Sequence, residues 1–343
     1  MKNWWRKKSP AVVDVAANDT HVAHQPEAGG AEQTLRRLEW TVIRRLDGLL
    51  QGNYRTLMRG TGLDLADLRE YQHHDDVRHI DWNVTARLQV PHVRVFTEDR
   101  EMAAWFVLDL SPSIDFGSGK QAKREVSIGF VGVLARLLTR HGNRVGALVY
   151  GTGLDAVIPP RNGRLHVLRL LHSMQRRAEV VGTPAATPGL TRLADLLRSA
   201  ALLMPRRSTV FVVSDFLSEP GWERPLAQLA QRHDVVAVRL FDPLELELPD
   251  LGLIPLRDVE TGQQLWVDTH DAGFRKRFAR LATEREATLR QALARAGVDA
   301  LELSTEEDLT SAIVRFVDLR KRRVRSGKSG SQARTDTSKT ALA

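Results

Sequence analysis

The sequence predicts an α/β fold, a doubly wound and mainly parallel sheet preceded by a small, mostly β element. Three observations predict it. The apolar runs Ala104–Leu108, Val145–Tyr150, Ser208–Ser214 and Val235–Leu240 are continuous rather than alternating, as strands buried on both faces require. Between them lie stretches whose apolar residues recur at spacings of three and four, the period of a helix packed on one side. The two patterns alternate along residues 99–322, which is the signature of helices layered over a parallel sheet.

Taken in order, residues 1–30 are rich in Ala, Gly, Asp and His without periodicity and are expected to form a disordered leader. Lys2, Arg6, Lys7 and Lys8 imitate the basic start of a signal peptide, but no apolar core follows them, so secretion is not expected. Trp4 and Trp5 make only a weak interfacial anchor. Leu35, Leu38, Val42, Leu46 and Leu49 predict a helix over 31–50. Residues 51–98 form the small β-rich element. Gly52 to Asp81 reads as loop, and Val84 to Thr97, around Pro91, as a hairpin or edge-strand pair.

From residue 99 the α/β pattern takes over. Helices are predicted at Lys120–His141, Gly163–Met174, Thr191–Met204, Trp222–Arg232 and Ala272–Ala296, with a closing helix to about Arg322. Further strands are predicted at Ala156–Ile158, Leu253–Pro255, Gln264–Val267 and Ala300–Leu303. Residues 323–343, rich in Ser, Thr, Gly and basic residues, read as a disordered basic tail.

Composition narrows the function. The 343 residues include 50 Lys plus Arg, 42 Asp plus Glu and no Cys, so disulfides, thiolate metal sites and cysteine nucleophiles are excluded together. Of the net charge of +8, residues 320–343 hold +7 and residues 1–30 hold +1, leaving 31–319 neutral. A neutral body with a basic end argues against a folded nucleic-acid interface, leaving tail-mediated nucleic-acid binding only as an alternative. No apolar run approaches a membrane span, and a cytoplasmic protein is expected.

Ligands of such sheets bind at the carboxyl ends of the strands. There the first strong strand ends in Asp109-Leu110-Ser111-Pro112-Ser113, which projects hard oxygen ligands from one turn. That chemistry suits Mg²⁺, or Mn²⁺, which takes carboxylate, hydroxyl and water oxygens. Turn-forming or helix-capping hydroxyls are the plainer reading of Ser111 and Ser113. A second apolar strand ends in Ser214-Asp215, and Gly189-Leu190-Thr191 stands before an apolar helix. Thr191 read alone is a helix cap, and Asp215 read alone is a loop carboxylate. Gly117-Ser118-Gly119-Lys120 fails as a phosphate loop because Ile114 stands in place of the first Gly and Gln121 follows the Lys.

The five positions together resemble the metal-ion-dependent adhesion site of von Willebrand factor A domains. The resemblance implies a von Willebrand A-type sheet with Asp109, Ser111, Ser113, Thr191 and Asp215 around Mg²⁺, some of them through water. Two carboxylates and three hydroxyls barely balance a divalent ion, leaving it able to accept an acidic side chain from a partner. No nucleophile or general base accompanies the set, so no catalysis is expected.

Upstream stand Gly60-Thr61-Gly62, Arg69-Glu70-Tyr71, Asp75-Asp76-Val77-Arg78-His79-Ile80-Asp81-Trp82 and Ala86-Arg87. These resemble the signature of the domain-of-unknown-function 58 family, over about residues 50–320. His73-His74 and Asp64-Leu65 depart from the family's usual Pro-Gly and Glu-Phe. The family resemblance implies a non-catalytic adaptor that partners a MoxR-type AAA+ ATPase and an unknown client in assembling or maturing other proteins. Physically, Arg69, Arg78 and Arg87 beside Asp75, Asp76 and Asp81 suit a charge-assisted network, with Tyr71 and Trp82 as buried anchors. The alternative is a metal-dependent phosphohydrolase using His73, His74, His79, Asp75 and Asp81.

Overall fold

The computed structural model describes residues 14–15, 30–49, 67–72, 77, 80–95, 103–151, 153–181, 192–257 and 264–320. Strand β1 is the short pair Asp14–Val15. The predicted N-terminal helix is continuous from α1 (Gly30–Leu38) through a π-helical turn, Glu39–Ile43, into α2 (Arg44–Leu49). Its predicted apolar stripe is buried at Leu35, Leu38, Val42 and Leu46.

In the upstream element, β2 (Asp67–Glu70) pairs antiparallel with β3 (His92–Val95), and α3 (Trp82–Leu88) lies between them. The start of the expected hairpin, from Val84, is therefore helical. Asp81 explains why: its Oδ1 accepts from the backbone N–H of Asn83 and of Val84, which caps α3 and outweighs the β-branched Val84 and Thr85. Gln89, in the left-handed region at φ 56, ends the helix ahead of Pro91.

The main sheet follows from β4 (Ala103–Asp109), α4 (Lys123–Arg140), β5 (Arg144–Tyr150), β6 (Leu154–Arg161), α5 (Arg164–Val181), α6 (Leu193–Leu203), β7 (Thr209–Ser214), α7 (Glu223–Arg232) and β8 (Asp234–Phe241). A hairpin of β9 (Leu253–Arg257) and β10 (Gln264–Asp268) follows, with β1 paired to β9. Then come α8 (Ala272–Arg295), β11 (Asp299–Ser304) and a closing helix α9 over 309–320. The six-stranded sheet runs β11-β8-β7-β4-β5-β6, parallel except for β6 at one edge.

Alternate residues of each central strand face two separate apolar layers, because successive side chains of a strand point to opposite faces. Phe106 and Leu108 pack with α4, α5, α9 and the N-terminal helix, whereas Trp105 and Val107 pack with α6, α7 and α8. Gly132 permits the N-terminal helix to lie close, since a Cβ there would meet Leu38 Cδ1 at 2.9 Å. On β6, Pro159 and Pro160 and two register shifts against β5 interrupt the ladder. The expected leader, apart from Asp14–Val15, and the tail lie outside the described residues. Among the described residues no helix is long and apolar enough to cross a membrane.

Candidate functional site

The carboxyl ends of β4, β7 and β8 each finish in an acid: Asp109, Asp215 and Asp242. Apolar strands bring these residues to one rim, and the loops that follow supply the partners. Asp109 is 1% exposed. Its Oδ1 accepts the Ser111 N–H at 3.1 Å, and its Oδ2 accepts the Ser214 hydroxyl at 2.7 Å. Ser111 precedes the 3-10 turn Pro112–Asp115 but makes no side-chain cap; its Oγ instead lies 3.1 Å from Ser113 Oγ. The two hydroxyls therefore face each other beside the carboxylate rather than serving the backbone. Arg124 fixes the turn, bonding Asp115 through Nε and reaching the Leu110 carbonyl at 3.5 Å.

Asp215 is turned differently. Its Oδ1 accepts the Leu217 N–H at 3.0 Å, and its Oδ2 accepts from Lys123 Nζ at 2.8 Å. Lys123 opens α4, is wholly buried, and reaches Glu245 Oε1 at 2.6 Å as well. Glu245 Oε2 in turn accepts the Asp242 N–H at 3.3 Å within a capping box. Asp242 accepts from the backbone N–H and hydroxyl of Ser118, the Thr305 hydroxyl and the Leu244 N–H. One buried polar network thus links the Asp215 loop, the start of α4 and the end of β8.

The electrostatics separate these acids. Burial, with the Asp215 charge nearby, pushes the Asp109 carboxyl up to about 6, against weaker lowering by Ser214 and Ser111. Among the described residues no cation bonds to it. Burial alone would lower the Lys123 ammonium, but Asp215 and Glu245 together raise it above its ordinary value. Burial raises Glu245, although Lys123 opposes this. Asp242 is lowered: burial works against its charge, and its Ser118, Thr305 and backbone donors outweigh it. Phe216, directly after Asp215, holds φ at 59°, a strained value for a bulky residue and one found where a site over-determines the backbone.

A hard cation would fit Asp109 with Ser111, Ser113 and Ser214 around it, since a buried carboxylate without a cationic partner is costly to keep ionised. Asp215 already has an ammonium on one oxygen. No group of three His, Cys, Asp or Glu able to hold a metal occurs among the described residues, so hydroxyls and water would complete any coordination. Thr191 lies outside the described residues. The chain just after it is tied to the loop beyond Asp215, through Arg192 Nε to Glu219 at 3.1 Å and the Leu193 N–H to Ser218 Oγ at 2.9 Å.

Of the upstream signature, Asp75, Asp76, Arg78, His73, His74 and His79 lie outside the described residues, and Arg69 is placed only as a β2 position. Asp81 caps α3, Tyr71 is half-buried with its N–H on the Pro91 carbonyl at 2.8 Å, and Arg87 is exposed. Trp82 is not the expected buried anchor. It is 69% exposed, as the first residue of a short helix with no buried residue.

Sequence reasoning missed Lys123, Ser214, Asp242 and Glu245. A signal existed for two of them: Asp242 ends an apolar strand as Asp109 and Asp215 do, and Asp242-Pro243-Leu244-Glu245 spells a capping box. Lys123, one basic residue at a helix start, had none.

Among curated proteins, the chain is 37% identical to Uncharacterized protein Rv1480 of Mycobacterium tuberculosis and equally to Uncharacterized protein Mb1516 of Mycobacterium bovis, covering 93% of this chain and 98% of each relative. Among solved structures, a conserved hypothetical protein BatB from Bacteroides thetaiotaomicron superposes at TM-score 0.42 and 15% identity, over 64% of this chain and 99% of that one. A family model described as "Protein of unknown function DUF58" matches residues 67–288. With most of its length inside that match, and relatives 37% identical along nearly all of it, the chain belongs to this family.

Proposed function

We propose that the rim around Asp109 is a divalent-cation site of von Willebrand A type, and that the protein is a non-catalytic, Mg²⁺-dependent adaptor. The observation that carries this reading is Asp109, a buried carboxylate with no cationic partner among the described residues and with Ser111, Ser113 and Ser214 gathered beside it. Asp109, Ser111 and Ser113 would hold Mg²⁺ (or Mn²⁺) with Asp215 and Thr191, directly or through water. When bound, the ion supplies an electrophilic position for an acidic side chain of a partner. The protein's own residues do the rest: the Ser214 hydroxyl orients Asp109, Lys123 pairs its charge with Asp215, and Arg124 holds the turn.

The reading extends to a cytoplasmic adaptor that works with a MoxR-type AAA+ ATPase on a client protein, which rests on the family's signature residues rather than on the rim. The phosphohydrolase alternative gains nothing from Asp81, whose Oδ1 is engaged in capping α3. The test is calorimetric titration of Mg²⁺, together with pull-down in Mg²⁺ and in chelator, on the full chain and Asp109→Ala. Saturable Mg²⁺ binding and Mg²⁺-dependent capture, both lost in the variant, are expected; capture indifferent to chelator and variant would refute the metal bridge.

A further inference from the structure

We propose that Lys123 and Glu245 set the cation affinity of the rim by charge alone, without contacting the ion; this rests on the cation reading of the Asp109 rim. The geometry is unusual in one respect. The ammonium of Lys123 sits at 0% exposure between Asp215 Oδ2, at 2.8 Å, and Glu245 Oε1, at 2.6 Å. An ammonium has three donors, and two are spent on carboxylates from different strand ends. One of those carboxylates belongs to the candidate cation rim. The other does not: Glu245 is held by Lys123 on Oε1 and by the Asp242 N–H on Oε2, within the capping box that follows β8.

Asp215, Lys123 and Glu245 therefore form a row of three charges, in which Lys123 offsets Asp215 and Glu245 restores a net negative charge behind the Asp109 turn. Buried charges at this range act through a low effective dielectric and are little screened by salt. Neutralising Glu245 leaves Lys123 paired with Asp215 alone, cancels the net negative charge of the three groups and weakens their attraction for a cation. Removing the Lys123 charge leaves an extra negative charge and attracts one. Removing both restores the balance.

A scaffolding pair behaves otherwise, since breaking either partner would loosen the rim and weaken binding in both single variants. Opposite signs at two residues in mutual contact, cancelling in the double variant, distinguish field from scaffold.

The experiment measures Mg²⁺ affinity by calorimetry and Mn²⁺ affinity by electron paramagnetic resonance, on the full chain. The variants are Glu245→Gln, Lys123→Met, the two combined, and Asp109→Ala. Expected are affinity about tenfold weaker in Glu245→Gln, about tenfold tighter in Lys123→Met, and near wild type in the double variant. Lys123→Met leaves two buried carboxylates facing each other and could fail to fold. In that event Glu245→Gln and the double variant decide the matter, as weakening in the first and recovery in the second are required. Weakening in both, or no change in Glu245→Gln while Asp109→Ala abolishes binding, overturns the charge role and leaves the cation site standing. Absence of saturable binding by the wild type overturns both.

Discussion

The two ends of the same sheet handle buried charge in opposite ways. At the amino ends, Arg320 of α9 clasps both oxygens of Asp234, at 2.9 and 3.0 Å, and reaches Asp299 at 3.3 Å, with its own side chain 3% exposed. One nitrogen, Nη2, serves both oxygens of Asp234 while Nε faces Asp299, so the first residues of β8 and β11 are tied to the closing helix through one guanidinium. At the carboxyl ends, Lys123 answers Asp215 and Glu245 but no cation bonds to Asp109 among the described residues. Compensated charge at one end fastens the layers together. At the other end the Asp109 carboxylate lacks such a partner among the described residues, which is the basis for the proposed cation site there.

Three substitutions put the contrast to work. The largest effect is expected from Arg320→Ala, which removes the guanidinium that Asp234 and Asp299 share and should cost about 3 kcal/mol in denaturant unfolding. Cation affinity at the far rim should stay at the wild-type value; a shared loss would erase the distinction between the two ends.

Asp109→Asn should move stability the other way. The folded state holds this carboxyl near 6, above its ordinary 3.8, so ionisation penalises the fold once pH exceeds that value. In chelator the wild type should lose on the order of 3 kcal/mol as pH rises from 4 to 7, whereas the amide should show no such decline. Unfolding curves for both proteins at several pH values decide this, and a parallel pH dependence would contradict the account.

The smallest effect belongs to His233, which lies beside Asp234 at the amino end, 4% exposed, with neither ring nitrogen hydrogen-bonded among the described residues. Burial, then the nearby Arg232 and Arg207, lowers its pKa. The unfolded chain therefore takes up the proton first. Stability should fall as pH drops through the ordinary imidazole range, and His233→Leu should remove that component of the acid sensitivity, measured by the slope of melting temperature against pH.

The sequence makes the sheet legible because strands buried on both faces need continuous apolar runs, and a run that ends in Asp marks the rim. Asp109, Ser111, Ser113 and Asp215 are visible for that reason. Helix α3 escapes the reading because Val84, Thr85 and Val90 favour strands locally, while the deciding term is a single cap from Asp81. The Asp81 cap and Pro91 beyond the helix end were its only written signs. The Lys123 network is illegible for a different reason. Its partners lie 92 and 122 residues away, and no local pattern records a pairing that only the folded sheet creates.

Edge strand β6 has a consequence for association. A strand carrying Pro159 and Pro160 lacks two amide donors in succession, and its slipped alignment with β5 further breaks the row that an incoming chain would have to match. Of two successive prolines one removes an outward-facing donor and the other a donor toward β5, so growth of this sheet by main-chain pairing is disfavoured on the β6 side.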